Sequence, residues 1–130
     1  MKQEFPITIA IVDDNALIRE SVKFRLSSLG YHVVMEAENG QEFLDKLHVN
    51  RAPDICVLDI NMPVMDGLET TVHLKKEWPG VKIIFFSMED RSIYVNKGIE
   101  LGVDGFVAKD APFTELNNML ISIVNQSQVA

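Results

Sequence analysis

The sequence predicts an α/β fold with a single doubly wound sheet of five parallel strands. Short, almost wholly apolar runs alternate along the chain with longer segments whose apolar residues recur every three or four positions. Such runs are typical of strands that a parallel sheet buries on both faces. Because parallel neighbours require a helical crossover, five strands alternating with five helices give one doubly wound sheet. The 130 residues suit one ordinary domain.

The first half of the chain contains three predicted strands and two helices. The strands lie at 7–12, 31–37 and 54–58. The second of these is the most polar, which places it near an edge of the sheet. Asn15 caps the first helix and Gly30 ends it, and its apolar stripe consists of Ile18, Val22, Leu26 and Leu29. Asn39 opens the second helix, whose inward-facing residues are Phe43, Leu44 and Leu47.

The second half continues the alternation with strands at 81–86 and 103–108. Between 58 and 81 the third helix runs from about Gly67 to Trp78, with Asp66 as its N-cap candidate. A weaker fourth helix is predicted over 91–101, because Gly98 interrupts its pattern.

The last helix begins at Pro112, a residue well suited to a first helical turn. Its apolar stripe comprises Phe113, Leu116, Leu120 and Ile123 with Val124. Residues 125–128 are polar and are predicted to fray. We therefore expect one domain over 1–126, with residues 127–130 forming a tail or the start of a linker.

Composition and charge exclude several classes of protein. The net charge of −7 argues against nucleic-acid binding by this segment, which requires clustered Lys and Arg. No apolar run approaches the roughly 18 residues of a membrane span, and residues 1–6 lack a signal-peptide core. The single cysteine, Cys56, lies in a predicted core strand, so no intramolecular disulfide can form. We expect a cytoplasmic protein.

Polar residues follow four of the predicted strands. These residues are Asp13 and Asp14, Asp59, Ser87 and Lys109. The carboxyl ends of parallel strands share one edge of the sheet, where α/β proteins bind ligands. Three carboxylates this close repel one another, and a hard divalent cation such as Mg²⁺ relieves the repulsion. Zinc is disfavoured, because no histidine or cysteine accompanies the acids.

The same positions carry a family resemblance. The motifs are Val12-Asp13-Asp14, Leu58 to Pro63 with Asp66-Gly67, Phe86-Ser87 and Phe106-Val107-Ala108-Lys109. With these motifs the chain resembles the receiver domains of bacterial two-component response regulators from about residue 7 to 124. The resemblance implies a flavodoxin-like, CheY-like (βα)5 fold with strand order 2-1-3-4-5. It also implies a phospho-accepting module that switches an output surface, rather than an enzyme that turns over an external substrate.

The resemblance implies a role for each acidic residue. Asp59 matches the phospho-acceptor, which takes a phosphoryl group from a histidine kinase or a phosphotransfer protein. Asp14, Asp59 and the backbone carbonyl of Asn61 match the ligands of Mg²⁺ (or Mn²⁺), and Asp13 reaches the metal through water. The alternative for Asp59 alone is a plain loop cap.

Three further residues match the machinery that responds to phosphorylation. Lys109 pairs with Asp59 and then with a phosphoryl oxygen, and the Ser87 hydroxyl turns inward to a second phosphoryl oxygen. Phe106 matches the aromatic residue that rotates into the space left by that hydroxyl. The alternatives are a surface lysine, a strand-end cap and an ordinary core phenylalanine.

Several positions depart from the common family pattern. Lys109-Asp110 replaces a frequent Lys-Pro whose peptide bond is commonly cis, and a cis bond before a non-proline residue costs about 3 kcal/mol. We therefore expect a strained or rearranged loop. Lys-Asp is typical of the subgroup that resembles NarL and LuxR regulators. Met88 restricts access to Asp59, and Asn61 with Glu89 resembles pairs linked to fast loss of the phosphoryl group.

Output and partners follow from the subgroup. We expect regulation of transcription through a C-terminal helix-turn-helix domain outside these 130 residues, and possible homodimers formed on phosphorylation through a face with Leu116, Met119 and Leu120. Core packing explains those three residues equally well. The alternatives are a stand-alone receiver and a phosphorylation-independent interaction module. A magnesium phosphatase would need Asp-x-Asp after the first strand, which Asp13-Asp14-Asn15 does not supply.

Overall fold

The computed structural model describes residues 6–88 and 91–129, with the backbone alone for residues 91, 92 and 127–129. Strands and helices alternate strictly along the chain, as the sequence predicts. The strands are β1 Thr8–Val12, β2 His32–Ala37, β3 Ile55–Leu58, β4 Lys82–Ser87 and β5 Gly105–Ala108. The helices are α1 Ala16–Ser28, α2 Gly40–Val49, α3 Gly67–Glu77, α4 Arg91–Leu101 and α5 Phe113–Val129.

All five strands are parallel and form one sheet in the order β2-β1-β3-β4-β5. The predicted fold and strand order are therefore confirmed, and β2 lies at an edge as its polarity indicates. The register sets Val12 beside Leu58, and Leu58 beside Phe85. β1 and β3 end level with each other, and β4 and β5 end level with each other two residues further along. Since all the strands run in the same direction, the residues that follow them emerge along one rim of the sheet, called the carboxyl rim below.

Two apolar clusters cover the two faces of the sheet. Along β3 the side chains alternate between them, with Cys56 and Leu58 in one cluster and Ile55 and Val57 in the other. The first cluster contains the buried residues of α2 and α3, and the second those of α1 and α5. This two-sided burial explains why β3 is apolar throughout.

The predicted helix starts are confirmed by side-chain caps. The Oδ1 atoms of Asn15, Asn39 and Asp66 accept hydrogen bonds from the backbone N–H groups of Ile18, Glu42 and Glu69, at 3.1, 2.8 and 2.9 Å. Each cap satisfies a backbone N–H that has no partner inside its helix, and such a cap stabilises a helix by about 1 kcal/mol. Local sequence signals therefore fix where these three helices begin.

Three expectations need correction, and the isomer of one peptide bond that the sequence leaves open is decided. Residues 125–128 do not fray, because α5 continues to Val129. Leu29 is the C-cap of α1 and is 50% exposed instead of completing the apolar stripe. Leu116 and Leu120 are buried in the core, so they form no exposed face for a dimer. The described peptide bonds are all trans, including Lys109–Asp110.

The described residues bear on two other predictions. Within this part of the chain, no helix combines the length and the apolar character that a membrane crossing requires. Met88, which the sequence predicts to restrict access to Asp59, follows β4 and is 64% exposed. Glu89, which the sequence pairs with Asn61 in phosphoryl loss, lies outside the described residues.

Candidate functional site

The carboxyl rim brings together the ends of three strands at one ammonium group. Lys109 follows β5, and its Nζ lies 2.6 Å from Asp13 Oδ2 after β1 and 3.2 Å from Asp59 Oδ2 after β3. The Lys109 side chain is 9% exposed, and both carboxylates are buried. The geometry rejects the interpretation of Lys109 as a surface lysine, since its charge is desolvated and paired.

Three carboxylates form a cluster around this rim. Asp13, Asp14 and Asp59 each offer an oxygen, and these oxygens lie within 4.8 Å of one another. Asp13 and Asp59 are buried, whereas Asp14 is exposed. Asp13 Oδ2 is buried and, among the described residues, accepts no hydrogen bond of ordinary geometry, so its close contact is the ion pair with Lys109. This oxygen-only donor set with one solvent-facing member suits a hard divalent cation such as Mg²⁺.

Burial and charge act on the pKa values of the paired groups. Burial raises the pKa of Asp59, and the charge of Asp13 raises it further, while Lys109 and the backbone N–H of Asn61 act in the opposite direction. Burial lowers the pKa of Lys109, but Asp13 first and then Asp59 outweigh burial, so this pKa is raised. Lys109 therefore stays charged, and its single positive charge does not balance the three carboxylates of the cluster.

Backbone packing fixes where Asp59 stands. Its N–H donates to the carbonyl of Val12 at 2.9 Å, which extends the β1–β3 ladder by one residue. The N–H of Gly67 donates to the carbonyl of Ile60 at 2.7 Å, so the start of α3 packs directly on the Asp59 backbone. A Cβ on Gly67 would lie 2.4 Å from the Asp59 carbonyl oxygen. Only glycine fits this approach, which explains Asp66-Gly67 in the motif.

The loop between β3 and α3 contains a strained residue. Val64 has a φ of 69°, and the carbonyl of Pro63 accepts a hydrogen bond from the N–H of Met65 at 2.7 Å. This three-residue turn is rare, and a β-branched side chain disfavours a positive φ. The valine side chain is 79% exposed. The sequence carries no signal for this turn, because Val is not a residue that favours it.

Ser87 and Phe106 lie on the two neighbouring strands, Ser87 as the last residue of β4 and Phe106 as the second residue of β5. Ser87 is 1% exposed and pairs in register with Ala108, and the N–H of Lys109 donates to the Ser87 carbonyl at 3.1 Å. The Phe106 ring is partly buried and meets Phe85 edge to face, with ring centroids 6.0 Å apart. The ring therefore packs on the core, and the serine ends β4 on the same rim as the acidic cluster, bonded through its carbonyl to the backbone of Lys109.

Sequence reasoning missed Arg19 on α1. Its Nη1 donates to the backbone carbonyl of Asp13 at 2.6 Å, and its Nε lies 3.6 Å from Glu36 Oε1 on β2. An arginine in the first turns of a helix is ordinarily a surface residue, and nothing in its spacing from Asp13 indicates a contact. The contact depends on how the β1–α1 turn folds back.

Comparison with known proteins assigns the family. The family model described as response regulator receiver domain matches residues 9–121. The chain belongs to this family. As a receiver domain it is a signalling module of two-component systems and not a classical enzyme.

Individual relatives support the subgroup. The nitrate/nitrite response regulator protein NarL of Escherichia coli K12 is 35% identical over 111 residues, which make up 85% of this chain and 51% of NarL. The transcriptional regulatory protein DegU of Brevibacillus brevis is 34% identical over 108 residues, 82% of this chain and 45% of DegU. The predicted NarL/LuxR-like membership of this receiver domain is confirmed, although the chain spans about half the length of these relatives.

A solved structure agrees with both the fold and the subgroup. The crystal structure of a two-component response regulator of the LuxR family from Aurantimonas sp. SI85-9A1 aligns with a TM-score of 0.85 and 30% sequence identity. The alignment covers 93% of this chain and 86% of that one.

Proposed function

We propose that Asp59 is the phospho-acceptor of this receiver domain and that Mg²⁺ (or Mn²⁺) bound at the acidic cluster supports the transfer. The observation that carries the proposal is the ammonium of Lys109, buried between Asp13 and Asp59 at 2.6 and 3.2 Å. A charged group beside a carboxylate nucleophile is what phosphoryl transfer requires, because catalysis of this reaction is mostly positioning and charge neutralisation.

The proposed donor is a phosphohistidine of a histidine kinase or a phosphotransfer protein. A carboxylate oxygen of Asp59 attacks the phosphorus, the N–P bond breaks as the O–P bond forms, and the bonding electron pair leaves with the imidazole, which takes up a proton from water. The product on this chain is an acyl phosphate.

The metal ligands would be Asp14, Asp59 and the backbone carbonyl of Asn61, with Asp13 acting through water. The exposure of Asp14 and Asn61 fits this division, because Mg²⁺ keeps several of its waters. A bound Mg²⁺ neutralises charge on the carboxylates and on the phosphoryl oxygens.

The remaining rim residues would contact the phosphoryl group on Asp59 and respond to it. Lys109 would pair with one phosphoryl oxygen, and the hydroxyl of Ser87 would donate to another. The space beside the moved hydroxyl would admit the ring of Phe106, so a local charge event would change the face built from α4, β5 and α5.

For the whole protein we propose regulation of transcription through a C-terminal DNA-binding domain, in the cytoplasm. The relative DegU is a transcriptional regulatory protein about twice as long as the matched segment, which supports this proposal. A homodimer formed on phosphorylation fits the same scheme. A stand-alone receiver and a phosphorylation-independent interaction module are the competing functions.

The test uses the two aspartates that flank β3. Wild type, Asp59→Asn and the control Asp54→Asn are incubated with acetyl phosphate, with and without Mg²⁺, and intact mass is measured. We expect wild type and Asp54→Asn to gain one phosphoryl group only when Mg²⁺ is present, and Asp59→Asn to gain none. A wild-type protein without an adduct, or an Asp59→Asn protein with one, contradicts the proposal and favours the interaction module.

A further inference from the structure

We infer that Arg19 is a positioning residue for the acidic site. It fixes the backbone carbonyl of Asp13 and thereby the position of the N–H and the Cα of Asp14. The part of this inference that concerns metal binding rests on the function proposed above. Arg19 touches neither the acceptor carboxylate nor the ammonium that pairs with it, so it acts through Asp13.

Asp13 is held at each of its four polar groups. Its N–H donates to the carbonyl of Ala37 at 3.0 Å, and its carbonyl accepts from Arg19 Nη1 at 2.6 Å. Its Oδ1 accepts from the N–H of Asn15 at 2.9 Å, and its Oδ2 pairs with Lys109. The bond from Arg19 holds the backbone carbonyl, for which no backbone donor is found among the residues that the structure describes.

The guanidinium is itself held in place. The Arg19 side chain is 18% exposed, and its Nε faces Glu36 Oε1. Two lysines fix Glu36 in turn: Lys23 Nζ donates to Oε2 at 3.1 Å, and Lys46 Nζ donates to the Glu36 carbonyl at 2.6 Å. A planar guanidinium can address two acceptors at once in a fixed geometry, which a lysine ammonium cannot do as well.

Holding the Asp13 carbonyl has a direct effect on the next residue. The peptide unit is planar, so the orientation of the Asp13 carbonyl fixes the N–H and the Cα of Asp14. Asp14 is exposed, and its carboxylate depends on this backbone for its place in the cluster. Arg19 therefore controls the spacing between a buried carboxylate and an exposed one that would bind the same ion.

A purely structural role for Arg19 would be to tie α1 to β2 through Glu36. Lys23 distinguishes the two roles, because it lies one turn further along α1 and binds the same Glu36 carboxylate, without a contact to Asp13. If the tie between helix and strand is what matters, loss of either side chain should have similar effects on the site.

The experiment compares Arg19→Gln and Lys23→Gln in the full chain. Amide hydrogen exchange at Asp13 and Asn15 is measured by NMR without metal, and the Mg²⁺ dissociation constant is measured by calorimetry. We expect Arg19→Gln to accelerate exchange at both amides and to raise the dissociation constant by about tenfold, as for other groups that orient metal ligands. Lys23→Gln should leave both quantities within about twofold. The amide of Lys109, which bonds to Ser87 across the site, serves as an internal reference for global opening.

Each outcome decides between the roles. Unchanged exchange and affinity in Arg19→Gln, or equal changes in the two variants, overturn the positioning role. Faster exchange with an unchanged dissociation constant overturns its importance for the metal. If wild type binds no Mg²⁺, the proposed metal function fails, and exchange at Asp13 and Asn15 still decides whether Arg19 fixes the backbone. An Arg19→Lys variant should recover part of the loss, since an ammonium can still reach one of the two acceptors.

Discussion

Aspartates stand at both ends of β3, and their surroundings differ. Before the strand, at the amino rim of the sheet, Asp54 Oδ2 accepts from the N–H and the hydroxyl of Thr8 at 2.9 and 3.1 Å. Asp104 Oδ2 likewise accepts from the N–H of Ile83 at 2.8 Å on the same rim. After the strand, Asp59 shares one lysine with Asp13.

The difference shows what separates a structural aspartate from a functional one. At the amino rim each carboxylate serves the neutral donors of a neighbouring strand and meets no second acid in the contacts described. At the carboxyl rim the three acids crowd together and two of them, Asp13 and Asp59, are buried, so their charges are only partly compensated. The first arrangement holds the sheet together. The second arrangement leaves repulsion between carboxylates, which a bound cation can reduce and which a phosphoryl group on Asp59 would alter.

The largest test of this contrast removes the rim's ammonium. In Lys109→Met the carboxylates of Asp13 and Asp59 stay buried without a neighbouring cation, and breaking a buried ion pair costs about 4 kcal/mol. We expect a loss of that size in the free energy of unfolding in urea, with partial recovery when Mg²⁺ is added. The control Lys97→Met breaks an exposed pair with Glu100 at 3.9 Å and should change stability by less than about 0.5 kcal/mol. A Lys109→Met protein as stable as wild type would mean that the buried carboxylates at the carboxyl rim do not destabilise the fold when their cation is removed.

A second test compares glycines at the two rims. Gly67→Ala places a Cβ 2.4 Å from the Asp59 carbonyl oxygen, a backbone atom that cannot move aside, and we expect a loss of about 3 kcal/mol together with weaker phosphoryl labelling. Gly80 lies in the loop before β4, where an added Cβ would meet no heavy atom within 4 Å, and it has no positive φ. Gly80→Ala should be neutral or stabilising by about 0.5 kcal/mol. Urea unfolding measures the stability of both variants. Equal losses in the two variants would contradict the difference that we infer between the two rims.

The smallest expected effect is at the amino rim. Asp54→Ala loses the two hydrogen bonds from Thr8, and we expect a loss of about 1 kcal/mol in unfolding free energy because the site is exposed. Phosphoryl labelling and Mg²⁺ affinity should match wild type. The exposed helical residue Asp45, changed to Ala, provides the control for the loss of a charge together with one exposed side-chain hydrogen bond, the one that Gln41 Nε2 donates to Asp45 Oδ1. A change in Mg²⁺ affinity beyond about twofold in Asp54→Ala would show that the two rims are coupled.

Local patterns accounted for much of the fold. The caps at Asn15, Asn39 and Asp66 lie within a few residues of the N–H groups they bind, so short-range chemistry suffices to locate them. The strand order came from the resemblance, since periodicity alone does not say which strands are neighbours. The predictions for Leu29 and for residues 125–128 were wrong, because an apolar stripe marks the buried face of a helix but not the residue at which the helix ends.

The candidate site divides in the same way. Asp13, Asp59, Ser87 and Lys109 could be placed together because each directly follows or ends a strand. Arg19 could not, because its bond to Asp13 depends on the path of a turn, and Val64 could not, because its backbone conformation contradicts its residue type. Residues that act through the backbone leave little trace in the sequence.

The bond from Lys46 to the Glu36 carbonyl also affects how the sheet meets other molecules. The neighbouring Ala37 carbonyl accepts from the N–H of Asp13, the residue after β1, so the Glu36 carbonyl points to the open side of the edge strand β2. An unpaired edge is a template for edge-to-edge aggregation, and natural proteins obstruct such edges with charged side chains, lysine above all. Here the ammonium occupies an acceptor that an incoming strand would need. Growth of the sheet beyond β2 is thereby opposed at this edge.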